Sequence, residues 1–155
     1  MSVFVQDHYP DDFAYCYGCG RLNTSGYHIK TTWESNEAVA RFTPGLEHVS
    51  VPGFVYGGLI ASLVDCHAMA TAAAAVERQE GRGIGERPAP RFVTGALHVD
   101  YLKPTPLGPE LNLRATAKTI SARKVVVEVR VHADGVLTAR GEVVAVRMPD
   151  SMGGR

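Results

Sequence analysis

Hydrophobic and polar positions change rhythm twice along this chain. Residues 1 to 27 mix aromatics, prolines and polar residues without a period, and predict an irregular lead-in that covers part of a core. "YHIKTTWES" and "EAVARFTP" then read as two strands joined at a Ser35-Asn36 turn. "PGLEHVSVPGFVYGG" is punctuated by proline and glycine and predicts a loop. From Leu59 to about Gln79 the residues are almost all apolar or small, with no proline or glycine. That is a helix of about five to six turns. Its apolar residues lie on every face until Glu77, so it is a buried helix, not a surface one.

"RQEGRGIGERPAPR" predicts a mobile loop. Four strand candidates follow: "FVTGALHVDYLKP", "ELNLRATAKTIS", "KVVVEVRVHA" and "VLTARGEVVAVRM". In the third, Val125, Val127, Val129 and Val131 share one face. Asp134-Gly135 is a two-residue hairpin signal between the last two. Residues 149 to 155 are expected to fray. Hairpin-linked strands make an antiparallel sheet, and one apolar helix against such a sheet makes an α+β domain. A helix buried all round needs the sheet to wrap it, or a second copy to cover what the sheet leaves bare.

Composition narrows the function. The chain of 155 residues is long enough for a single domain with a real core. Sixteen basic residues balance sixteen acidic ones, which sets nucleic-acid binding aside. No run of about 18 strongly apolar residues and no secretory leader are seen, so a membrane role is not expected. Three cysteines give no disulfide framework, and a reducing cytoplasm is expected.

The chemistry centres on Asp65 in the middle of the apolar helix. Its neighbours at helical spacing, Ala61, Ser62, Ala68 and Met69, offer no countercharge. A carboxylate in that setting has its pKa raised by burial and is a candidate catalytic group. Gly57-Gly58 stands at the expected helix start, where free backbone N–H groups can bind an oxyanion. Eight residues separate Gly57 from Asp65, roughly 12 Å of helix. One reacting carbonyl could not touch both. Two copies with antiparallel helices could bring the N–H of one to the carboxylate of the other. Gly58, Ala61, Ala68 and Ala72 would form the small face that permits this approach.

"GGLIASLVDCHAMATA" resembles the His-Gly-Gly and downstream Asp signature of hotdog-fold acyl-CoA thioesterases of the phenylacetate-degradation type, within the 4-hydroxybenzoyl-CoA thioesterase superfamily. "HVDYLKPTPLG" resembles that family's strand and proline turn, and "CYGCGRLNTSGYHIK" a lead-in of some bacterial members. The likeness runs from about Cys16 to Met148. It implies a hotdog fold, a curved antiparallel sheet around a long helix, and a homodimer or homotetramer. It implies hydrolysis of an acyl-CoA without metal or redox cofactor. Asp65 would be general base or nucleophile, and the Gly57 N–H would polarise the thioester carbonyl. Two positions depart from the pattern: Tyr56 stands where His is common, and Ser50 falls where Asn or Gln often stands. Tyr56 leaves open an acyl-CoA binding protein without turnover. A hydratase reading would need a loop His near the helix carboxylate, and His48 lies 17 residues before Asp65.

Met69, one turn after Asp65, is a candidate for the acyl pocket, and His67 for orienting the site across the dimer. Lys103, Arg123 and Lys124 are candidates for the coenzyme A phosphates, with Arg82, Arg87 and Arg91 as weaker ones. Cys16 and Cys19 have metal-like spacing but no second pair, and read as a structural turn. Cys66 reads as core.

Overall fold

A computed structural model describes residues 1–153. Two 3-10 turns, Val5–His8 and Asp11–Phe13, lie in the lead-in. Strands β1 (Thr31–Glu34) and β2 (Glu37–Phe42) precede helix α1 (Gly57–Gln79). Then come β3 (Phe92–Tyr101), β4 (Leu111–Ile120), β5 (Lys124–Ala133) and β6 (Val136–Arg147). The strands form one antiparallel sheet in the order β1-β2-β4-β5-β6-β3. The helix touches every one of the six strands. This is the hotdog arrangement that the sequence led us to expect.

Local chemistry explains the elements. The four valines of β5 at positions 125, 127, 129 and 131 are all buried against α1, while Glu128 and Arg130 face solvent. Asp134 and Gly135 both take positive φ, as a tight primed hairpin turn requires. Gly141 in the middle of β6 has a specific reason to lack a side chain. A Cβ there would lie 2.6 Å from Val64 Cγ1 and 3.1 Å from the His98 carbonyl. The helix therefore rests directly on the backbone of β6.

Several expectations change. The helix begins at Gly57, two residues before Leu59. Strand β1 is shorter than "YHIKTTWES", because His28 takes a positive φ that no strand accommodates. The loop after α1 is anchored instead of loose. Arg82 and Arg87 both reach back to the buried Glu77, at 2.9 and 2.8 Å. Asp150–Gly153 form a 3-10 turn where fraying was expected, and residues 154 and 155 lie outside the described residues. Helix α1 is long and apolar enough to cross a membrane, but 83% of its most apolar 18-residue window is buried within the protein's own fold, as a core helix is.

The small face of α1 also differs from expectation. Ala68 and Ala72 are completely enclosed by the chain itself. The partly open positions are Gly57, Gly58, Ala61, Ser62 and Asp65, one stripe that ends at the carboxylate. Beside the stripe runs β3, the last strand of the sheet, with Thr94 to His98 exposed.

Candidate active site

Asp65 sits at the inner end of the open stripe. Its Oδ1 accepts a hydrogen bond from Thr94 Oγ1 of β3 at 2.6 Å. Burial pushes the carboxyl pKa up, the Thr94 hydroxyl offsets part of this, and the nearby Cys16 sulfur adds to the rise. Thr94 carries no charge, so the carboxylate is half-buried and bonded to a neutral hydroxyl. A carboxylate has two oxygens, and the second is left for a water.

The glycine pair occupies the other end of the stripe. Tyr101 Oη donates to the Gly57 carbonyl at 2.7 Å and pins the helix start to the end of β3. The first N–H groups of a helix have no intrahelical acceptor, so those of Gly57 and Gly58 are available. Gly57 borders a groove of about 460 Å³ lined also by Ser50, Phe54, Ile60, Tyr101 and Lys103. Ser50 lies in the wall of this groove, and its own N–H is used by the Phe54 carbonyl. The Tyr56 side chain is 57% exposed and folds back over Gly58. A Cβ on Gly58 would lie 2.4 Å from the Tyr56 ring.

Strand register separates the two ends. Tyr101 pairs with Ala139, whereas Thr94 pairs with Ala145, about 20 Å further along β6. Lys103 bonds Thr138 and so belongs to the Gly57 end. Lys124 pairs with Val146 and, with Arg123, belongs to the Asp65 end. One chain thus brings Gly57, Ser50 and Lys103 together at one groove and Asp65 and Thr94 together at the other end, while Arg123 and Lys124 share only the sheet end with that pair, Lys124 pointing away from the buried Val125.

Other candidates fall outside both groups. His67 is fully buried, with Nδ1 2.8 Å from the Thr31 hydroxyl. Its Nε2 lies near the Ala38 backbone and makes no hydrogen bond among the described residues. Burial holds its pKa down at about 3, so it is a neutral core residue and cannot orient substrate. Met69 is likewise enclosed in the core of its own chain and lines no opening. Arg82 and Arg87 are committed to Glu77 and Glu80, and Arg91 stacks on the Tyr9 ring at 4.3 Å. None of the three is free for a phosphate. His48 packs against Tyr27 and Phe42, and its Nδ1 accepts from the Gly45 N–H at 2.8 Å.

Two features escaped the sequence. Thr94 lies 29 residues from Asp65, and only the fold joins them. Cys66, read as plain core, meets Cys16 and Cys19 of the lead-in, and the three sulfurs lie within 4.8 Å of one another.

Residues 52–146 match the family model of the thioesterase superfamily. The chain belongs to the thioesterase superfamily. A thioesterase superfamily protein from Shewanella loihica is 45% identical over 90% of this chain and 98% of its own, with a TM-score of 0.69. Two solved structures share the fold at lower identity. The Escherichia coli PaaI protein of the phenylacetic acid degradation operon is 16% identical over 79% of this chain and 81% of its own, TM-score 0.64. A Streptococcus mutans protein, smu.793, solved with acetyl CoA bound, is 17% identical over 77% of this chain and 88% of its own, TM-score 0.61. No curated protein matches the sequence.

Proposed function

We propose that this thioesterase-superfamily member hydrolyses an acyl-CoA to the free acid and coenzyme A, at composite sites between two subunits. The observation that carries the reading is Asp65. It is a half-buried carboxylate with a neutral partner, placed where an open helix stripe meets an exposed edge strand. If two chains pack antiparallel through that stripe, the glycine pair of one meets the carboxylate of the other. The partner subunit's Lys103 then comes to the side that carries Arg123 and Lys124, where cations suit the phosphates of coenzyme A.

The chemistry follows from these positions. Thr94 holds Oδ1, and the second oxygen of Asp65 takes a proton from water as that water attacks the thioester carbon. Charge develops on the carbonyl oxygen and is met by the N–H groups of the partner subunit's Gly57 and Gly58. Such donors are typically worth about 3 to 4 kcal/mol. The adduct expels the thiolate of coenzyme A, which takes the proton back from Asp65. Ser50 lines the groove and can orient the acyl carbonyl or the water.

Free coenzyme A released from a panel of acyl-CoAs, measured chromatographically, tests this. Turnover in the panel and a loss of roughly 10²- to 10⁴-fold in Asp65→Asn is expected. Unchanged turnover in that variant removes Asp65 from the mechanism. In ¹⁸O-water under single turnover, label belongs in the acid product; label in Asp65 would mean direct attack by the carboxylate instead of base catalysis.

Tyr56 favours a second reading, a binding protein for acyl-CoA. Its ring packs against Gly58 on the side a Cβ would occupy and narrows the space at the glycine pair. Tight binding across the panel with no coenzyme A released would establish this alternative, and Tyr56→His is the variant to restore turnover.

A further inference from the structure

Cys16 and Cys19 lie in the lead-in, and Cys66 lies on α1 directly after Asp65. Their three Sγ atoms fall within 4.8 Å of one another, and the Cys16–Cys66 pair is 3.8 Å apart. Zinc–thiolate bonds of about 2.3 Å in a tetrahedron put sulfurs about 3.8 Å apart, which is the edge seen here.

The backbone around the sulfurs has the form of a metal knuckle. In "CYGCG" the Gly20 N–H bonds the Cys16 carbonyl at 2.8 Å and closes a tight turn that holds both cysteines. Both glycines are required by space. A Cβ on Gly18 would lie 2.5 Å from Cys66 Sγ, so any side chain there would expel the third sulfur. A Cβ on Gly20 would lie 2.4 Å from the Cys16 nitrogen and would open the knuckle. Cys16 is half-exposed, which gives an ion a way in, while Cys19 and Cys66 are buried. Arg91 lies close enough to Cys16 and Cys19 to interact electrostatically.

We propose that Cys16, Cys19 and Cys66 bind one zinc ion, with water in the fourth position. Binding exchanges three thiol protons for Zn²⁺. The three thiolates and the ion together carry one negative charge, which the Arg91 guanidinium offsets. The ion ties the lead-in to α1 at the turn that carries Asp65. This site is separate from the chemistry proposed for Asp65 and stands or falls by its own measurements.

The protein purified under reducing conditions is expected to hold about one zinc per chain by elemental analysis, with a dissociation constant in the nanomolar range or tighter. Cobalt added to the reduced apo-protein should give an intense thiolate-to-cobalt band in the near ultraviolet and tetrahedral bands in the visible. Cys16→Ser, at the half-exposed position, should lose most of the zinc and weaken both sets of bands. Cys66→Ala should do the same while the far-ultraviolet spectrum stays that of the folded protein. Chelation should lower the Tm of the wild type and leave that of Cys66→Ala unmoved. The proposal is overturned by substoichiometric zinc together with no thiolate–cobalt band. Zinc retained at the wild-type level in both variants, or a chain lighter by two hydrogens from a disulfide among these cysteines, overturns it equally.

Discussion

The two halves of α1 are built from the same small and apolar residues, yet they have opposite surroundings. From Gly57 to Asp65 a stripe stays open. From Cys66 to Glu77 every residue is buried. The difference lies outside the helix. Val5 and Tyr9 of the lead-in join the core against the second half, and the loop after α1 is tied down on Glu77. In the first half only the stripe from Gly57 to Asp65 stays partly uncovered among the described residues, beside the unpaired edge of β3. A helix that is uniformly apolar can thus be half core and half interface, and the boundary falls at its one central carboxylate.

Substitutions on either side of that boundary should have different consequences. The largest is expected at Ala72, in the closed half. Ala72→Leu forces extra volume into a filled core and should cost about 1–3 kcal/mol, read as a lower midpoint in urea unfolding. Glu77→Gln leaves Arg82 and Arg87 without their shared carboxylate. Because Arg87 and part of Arg82 reach solvent, the loss should be about 1–2 kcal/mol, below that of a fully buried pair. The same variant should increase proteolysis in the loop 80–91.

Acid probes the closed half as well. Folding holds His67 at a pKa of about 3, against about 6.5 when unfolded. The unfolded chain therefore binds the proton first. The stabilisation is complete above pH about 6.5 and is lost as pH falls from there toward 3, at up to about 1.4 kcal/mol per pH unit. Thermal unfolding from pH 7.5 to 5 should show this slope, and His67→Phe should flatten it.

The smallest effect on the chain's own stability is expected at Ala61, on the open stripe. Ala61→Leu should change it by less than about 0.5 kcal/mol. It should nevertheless weaken subunit association in sedimentation and lower turnover in parallel. A monomeric wild type at micromolar concentration would break the comparison, because the open half would then be surface and not interface.

The sequence disclosed what depends on local pattern. The valine alternation of β5, the Asp134-Gly135 turn and the uncompensated Asp65 were all visible before any coordinates. What escaped depended on contacts between distant segments. The Ala68 and Ala72 face looked open because periodicity says which residues share a face, and not which face the lead-in covers. Arg82 and Arg87 looked free because their partner Glu77 lies five and ten residues away, on the helix that the loop folds back onto. Cys66 looked inert because its partners sit 47 and 50 residues away. The two glycines in "CYGCG" were the available sign that something large must fit beside that backbone.

Gly141 shows how far from the chemistry a constraint on it can lie. It touches neither of the proposed reacting groups, and it stands on the strand next to the one that carries Thr94. Yet Val64, the residue before Asp65, seats directly on it. A methyl group at 141 would act as a shim between helix and sheet. It would lift Asp65 away from Thr94 by a fraction of an ångström, enough to spoil a 2.6 Å bond. The tolerance of the proposed active site is set by a gap of one missing carbon, and Gly141→Ala is expected to abolish the proposed turnover while leaving the protein folded.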